Sequence, residues 1–267
     1  MLTKKLWRRG LSLAAAVALT GSLAVGPAFA QGERYQQATL DPRVKSIMEV
    51  DGYQFIDLNS NGELDVYEDW RQDADTRAAD LVSQMTVREK ISQMQHPTFL
   101  PRADGEIPSY LQEWCNEEGI GMLLIRELNS VEAAANTMNI IQEYAEGSRL
   151  GVPVLVSMDS VHGLSYVSGS TVTPHNLALA ATRDEELVTK LAEIAREEHL
   201  TVGVRMALSP DADLITDPRW GRNQECYSED TDVVQSLIVA AVQALQGGSK
   251  LTEDSVIATG KDFPGSG

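Results

Sequence analysis

From about Ile120 onward, short apolar runs alternate with amphipathic stretches, and this alternation limits the fold more than any other feature of the chain. Residues 120–125 form a compact apolar run, the pattern of a strand covered on both faces. Ser130 is placed to cap a helix and Gly147 to stop it. Residues 152–158 read as a second strand. Thr182-Arg183-Asp184-Glu185 has the spacing of a capping box and opens a helix with Leu187, Leu191, Ile194 and Ala195 on one face. Residues 204–208 are a third strand, residues 232–246 a helix stopped by Gly247-Gly248, and residues 256–259 a fourth strand. Strands separated by helices pair in parallel through right-handed crossovers. A closed barrel and an open doubly wound sheet both satisfy this order. The barrel spreads functional groups over the carboxyl ends of several strands, whereas the open sheet gathers them at one crevice. Here Asp159 follows the second strand, residues 211–222 the third, and Lys261 and Asp262 the fourth. No G-x-G-x-x-G follows an early strand, which argues against dinucleotide binding.

Residues 1–30 have a different character. Lys4, Lys5, Arg8 and Arg9 precede a Leu/Ala/Val-rich stretch, and Pro27 leads into Ala28-Phe29-Ala30, the small-x-small pattern of signal peptidase. The expectation is a signal peptide cut after Ala30 and a periplasmic or secreted protein. The apolar stretch is short for a membrane span, so no membrane association is expected after cleavage. The net charge is -17 at pH 7, and residues 1–30 contribute only cations, so the remainder is more acidic still. Such a chain repels nucleic acid and anionic membranes. Cys115 and Cys226 are the two cysteines; a disulfide and two separate small apolar residues are both open readings. No pattern in the sequence sets an oligomeric state.

Residues 31–108 read as a helical, loop-rich lead-in, and residues 109–267 as the strand–helix domain. Thr86-Val87-Arg88-Glu89 is a capping box ahead of Ile91 and Met94. The sharpest local pattern runs from Asp57 to Glu68 and fits D-x-[DN]-x-[DN]-G-x5-E without a gap. A calcium loop takes oxygens from alternate positions and a two-oxygen carboxylate at its end. Asp57, Asn59, Asn61 and Glu68 would supply side chains, Glu63 its carbonyl, and Asp65 the ninth place. Calcium is the metal this loop would take, and a tight Asn-Gly turn is the plain alternative. No organic cofactor is implied.

Three further clusters could carry chemistry. Asp159 ends an apolar strand and opens a small-residue loop, Ser160-Val161-His162-Gly163. Its carboxylate could accept from two vicinal hydroxyls of a sugar or cap its own loop. Residues 217–230, opening with Asp217-Pro218-Arg219-Trp220-Gly221-Arg222 and including Glu225 and Glu229, are rich in guanidinium donors and carboxylate acceptors, with an indole able to stack on a sugar face. Lys261-Asp262-Phe263-Pro264-Gly265 forms a sharp loop with a donor at its start. Taken singly, each is also an ordinary loop.

In this order, and with Asp65-Val66-Tyr67-Glu68-Asp69-Trp70-Arg71 and Met85-Thr86-Val87-Arg88-Glu89-Lys90 ahead of them, these elements resemble glycoside hydrolase family 3, most of all its bacterial β-glucosidase branch. The resemblance runs from about Asp51 to the last residue, and Asp-Pro-Arg-Trp-Gly-Arg is its most specific part. It implies an α/β fold, the first part of a (β/α)8 TIM-type barrel with about half the strands present. It implies hydrolysis of terminal β-linked glucose from oligosaccharides or β-glucosides with retention, using two carboxyl groups. Asp159 matches the aspartate that holds distal hydroxyls of the terminal sugar; Arg222 and Lys261 match sugar contacts. Asp262 stands where the family usually has histidine, an acceptor in place of a donor. The family's nucleophile and acid/base match no residue of this chain and are expected beyond Gly267, so the chain alone is expected to be inactive. Xylosidase or N-acetylhexosaminidase specificity, and a non-catalytic sugar-binding protein, are the alternatives.

Overall fold

The computed structural model describes residues 35–101 and 107–263. The expected signal peptide and the last residues of the Lys261 loop lie outside them. An antiparallel hairpin comes first, β1 (Ser46–Val50) and β2 (Tyr53–Asp57), in the register Val50↔Tyr53. Its turn is Asp51-Gly52, both at positive φ (53° and 79°), the primed turn whose twist suits two strands. The lead-in therefore carries a hairpin as well as helices and loops. Phe55 anchors it, fully buried with its ring stacked 5.5 Å from Trp70.

Two helices follow, α1 (Ala74–Gln84) and α2 (Val87–Ser92). The capping box expected at α2 forms in both directions: Thr86 accepts from the Glu89 amide, and the Glu89 carboxylate accepts from the Thr86 amide. The chain then enters a parallel sheet with β3 (Thr98–Phe99), ahead of the first strand expected from the sequence. After the short helix α3 (Ser109–Gln112) and a π-helical turn come β4 (Met122–Ile125), α4 (Val131–Glu146) and β5 (Leu155–Met158). Then follow α5 (Asn176–Thr182), α6 (Glu185–Val202), β6 (Met206–Ala207), α7 (Thr231–Gln246) and β7 (Ile257–Ala258).

The five strands pair in parallel in the order β3-β4-β5-β6-β7, which is also chain order. A doubly wound sheet reverses its order at a switch point, and this one does not. That decides between the two readings of the alternation: the sheet is the arc of a barrel, open within the described residues.

Helix boundaries follow their caps. Ser130 caps α4 and accepts from the Ala133 amide at 3.0 Å; Ala134, Met138, Ile141 and Ala145 on its buried face join Leu123 and Ile125 in the main core cluster. Leu123 and Ile125 are fully buried, while Met122 and Leu124 on the other face are half-buried. The strand is thus covered on one face more than on the other. The capping box expected at Thr182 is replaced by a different arrangement. Thr182 ends α5, its hydroxyl donating to the Leu179 carbonyl, and Arg183 takes a left-handed φ of 51°. Asp184 then caps α6, accepting from the Leu187 amide at 3.0 Å. Cys115 and Cys226 are both free and buried.

Candidate functional site

Four segments deliver charged side chains to the carboxyl ends of consecutive strands. Arg126 directly follows β4 and Asp159 directly follows β5. Beyond β6 and β7 the pairing resumes for one bridge, Asp211↔Lys261, with the Ala212 amide donating to the Lys261 carbonyl at 3.0 Å. That bridge sets Asp211 and Lys261 side by side. Arg222 and Glu225 come from the loop before α7, through a short 3-10 turn at Asn223–Glu225.

The result is one network of alternating charge. The Asp159 carboxylate accepts from Arg126 Nη2 on one oxygen and from Lys261 Nζ, at 3.3 Å, on the other. Its side chain is 9% exposed. The hydrogen bonds it makes run to cations that follow other strands and not to its own loop. Lys261 Nζ also stands 3.7 Å from Asp211 Oδ1. Arg222 is held on three sides: Nε and Nη2 donate to Glu225 at 3.1 and 2.6 Å, Nη2 to Asp211 at 3.4 Å, and Nη1 lies 2.7 Å from Asp262 Oδ2. Asp262 takes a left-handed φ of 54°, which aspartate tolerates.

Burial separates two of the carboxyls. It pushes Asp211 well above the usual carboxylate range, and a hydrogen bond with Glu225 adds to the rise; Lys261 and Arg222 oppose it. Glu225 is held below its usual value, first by Arg222 and then by Asp211. Arg222 is raised by Glu225.

Asp159, Arg222, Lys261 and Asp262, singled out from the sequence, are therefore brought together. Glu225, from the polar cluster of residues 217–230, joins them, and so does Arg126, which the sequence had not marked. Asp211 lay in the polar stretch after the third expected strand but carried no assigned role. Asp217 and Arg219 sit apart, paired with each other, with Arg219 largely exposed. The Trp220 ring lies 6.0 Å from the Arg222 guanidinium carbon. His162 packs against His175 with ring centroids 4.3 Å apart, and burial followed by His175 lowers its pKa.

The Asp57–Glu68 loop is closed by its own hydrogen bonds. Asp57 accepts from the amides of Asn61 and Gly62, and Glu68 from those of Leu58, Asn59 and Asp65. Asn59 and Asn61 turn their amide nitrogens to Asp65 Oδ2, at 2.6 and 2.8 Å. Among the described residues no group of three or more His, Cys, Asp or Glu is arranged to hold a metal. The donor types suit calcium. The Asn59 and Asn61 oxygens accept from the amides of Asn61 and Glu63 at 3.1 and 2.7 Å, so turning them toward the Asp65 side gives up both bonds.

A parallel arc with charged donors and acceptors gathered at its carboxyl edge is the arrangement of a barrel protein with its site on the top face. The comparison with known proteins makes this specific. The chain belongs to glycosyl hydrolase family 3: residues 86–267 match the N-terminal domain of that family. It is 38% identical over 249 residues to a periplasmic beta-glucosidase/beta-xylosidase of Dickeya chrysanthemi, covering 87% of this chain and 38% of that protein. It is 35% identical over 217 residues to beta-glucosidase C of Emericella nidulans, covering 76% and 35%. Among solved structures, a β-glucosidase of Erythrobacter marinus superposes with a TM-score of 0.66 at 30% identity, over 74% of this chain and 26% of that one. The chain thus spans little more than a third of the length of these curated relatives.

Proposed function

We propose that this chain supplies the distal-hydroxyl half of the sugar site in a retaining glycoside hydrolase acting on terminal β-linked glucose of oligosaccharides or β-glucosides. The observation that carries this is Asp159, a carboxylate at the end of a barrel strand with a cation on each side. The flanking cations hold it aimed, and two of its lone pairs remain for vicinal hydroxyls. Lys261 has further ammonium protons to donate to the same sugar. Arg222 is largely spent on Glu225, Asp211 and Asp262, so its role is to stiffen the wall as much as to touch the ligand. No residue of this chain is assigned to attack the anomeric carbon or to protonate the leaving oxygen. Xylosidase activity enters as a second specificity because the Dickeya relative carries both activities in its name. Export to the periplasm or beyond fits the N-terminal segment and the name of that relative. No helix among the described residues is long and apolar enough to cross a membrane.

The test uses the 267-residue chain. Methyl β-D-glucoside is expected to show saturation-transfer signals with it, while an activated aryl β-glucoside is hydrolysed only at the background rate. Turnover by this chain alone would overturn the assignment of roles. Absence of any sugar signal would overturn the subsite.

Calcium uptake by the Asp57–Glu68 loop is a separate proposal, supported by its sequence pattern and donor types. Calorimetry is expected to show a heat of binding that disappears in Asp65→Ala. Equal melting temperatures in calcium and in chelator, with no heat, would remove the idea.

A further inference from the structure

Asp211 is the most deeply buried member of the charge network, 2% exposed, and its Oδ1 has no hydrogen-bond partner. That oxygen points toward Lys261, whose ammonium stands 3.7 Å from it and 3.3 Å from Asp159. The ammonium is therefore poised between two carboxyls at nearly equal range. Distance does not decide which one it serves; the charge on Asp211 does, because attraction at such range scales with charge.

We propose that Asp211 is a positioning residue for Lys261: protonated, it leaves the ammonium to Asp159 and a sugar hydroxyl, and ionised, it draws the ammonium into the wall of the site. This rests on the sugar-site reading only for the hydroxyl; the movement of Lys261 stands without it.

The surroundings set which state prevails. Lys261 and Asp262 face the site from the segment after β7. Arg222, Glu225, Cys226 and Tyr227 face it from the loop before α7, and Asp213 lies two residues along its own segment. Four carboxyl groups (Asp159, Asp211, Glu225 and Asp262) stand against the cations of Arg126, Arg222 and Lys261. The network thus has one carboxyl more than it has cations. A proton retained at neutral pH removes the surplus, and the buried member beside another carboxyl is the one that retains it. Burial and Glu225 both raise Asp211, so Asp211 holds the proton and shares it with Glu225. When pH rises the proton leaves to solvent and the extra negative charge appears 3.7 Å from Lys261.

The experiment is a titration of the 267-residue chain by carbon-13 carboxyl and nitrogen-15 ammonium NMR. Asp211 is expected to titrate at least about two pH units above the 3.9 of an exposed aspartate. The Lys261 ammonium signal should move with the same midpoint. In Asp211→Asn, which keeps the shape of the protonated acid, the Lys261 signal should stay at its low-pH position throughout. Glu225→Gln, a second variant, should lower the Asp211 midpoint. An ordinary aspartate midpoint for Asp211, or a Lys261 signal indifferent to it, would overturn the proposal. A second arm follows methyl β-D-glucoside affinity across the midpoint. It should weaken about tenfold in the wild type, the worth of one charge-assisted hydrogen bond, and stay constant in Asp211→Asn. NMR shifts as expected with no sugar binding at any pH would support the positioning of Lys261 and sink the sugar-site reading.

Discussion

Asp159→Ala is expected to abolish detectable binding of methyl β-D-glucoside and, in a catalytically competent protein containing this chain, to lower kcat/KM by about 100-fold or more. The side chain is 9% exposed and is the shared partner of Arg126 and Lys261. Removing it leaves two cations facing each other and the sugar without its charged acceptor. A hydrogen bond to a charged group is worth about 1.5–3 kcal/mol, so losing an acceptor shared by two hydroxyls is expected to cost about 3 kcal/mol of transition-state stabilisation. Steady-state kinetics with an aryl β-glucoside would measure it. A fall of less than about tenfold, roughly 1.4 kcal/mol, would mean that the carboxylate holds its loop and not the sugar.

Acidification is expected to destabilise the fold through His199. The ring is fully buried on α6, with Nδ1 2.6 Å from the Ala195 carbonyl and Nε2 2.5 Å from the Ser160 hydroxyl. A carbonyl only accepts, so Nδ1 carries the proton, and Nε2 accepts from Ser160. Burial pushes the pKa down to about 4, below the unfolded value near 6.5. The neutral ring belongs to the folded state. Its contribution is full above about pH 6.5 and falls as pH drops toward 4, by up to about 1.4 kcal/mol per pH unit and about 3 kcal/mol in all. Urea unfolding between pH 6.5 and 5, where most carboxylates remain ionised, would show the slope. His199→Gln should be less stable at neutral pH and lose most of that slope; an unchanged slope would exonerate the histidine.

Much of the fold could be read before the structure was known, because caps and glycines act locally. Ser130 and Gly147 bracket α4, and Gly247 ends α7, for reasons that need only a few neighbouring residues. β3 escaped because it is two residues long and stands between Pro97 and Pro101, where strand patterning has no room to appear. The β1–β2 hairpin did leave a signal, Asp51-Gly52, which the mixed polarity of its flanks obscured. Thr182 and Asp184 compete for one cap, and the hydrogen bond that decides between them depends on where α5 stops. In the site, strand-end position marked Asp159 and Lys261. Arg126 reaches Asp159 across 33 residues, and what distinguishes Asp211 is burial; neither appears in spacing along the chain.

Because the sheet runs in chain order, each βα unit of the arc meets the unit made just before it. The charges arrive in the same sequence: Arg126 from the β4 unit is answered by Asp159 from the β5 unit, and Asp211 after β6 by Lys261 after β7. Recombination between relatives is constrained accordingly. A crossover in the loop after Ile125 separates Arg126 from Asp159, and one between Asp211 and Lys261 separates that pair, so each join brings together charges selected in different backgrounds. A crossover upstream of β4, between α2 and β3 for instance, cuts no pair of the network. Gene shuffling within this part of the family should recover soluble, sugar-binding chimeras more often from joins before residue 122 than from joins within residues 126–261.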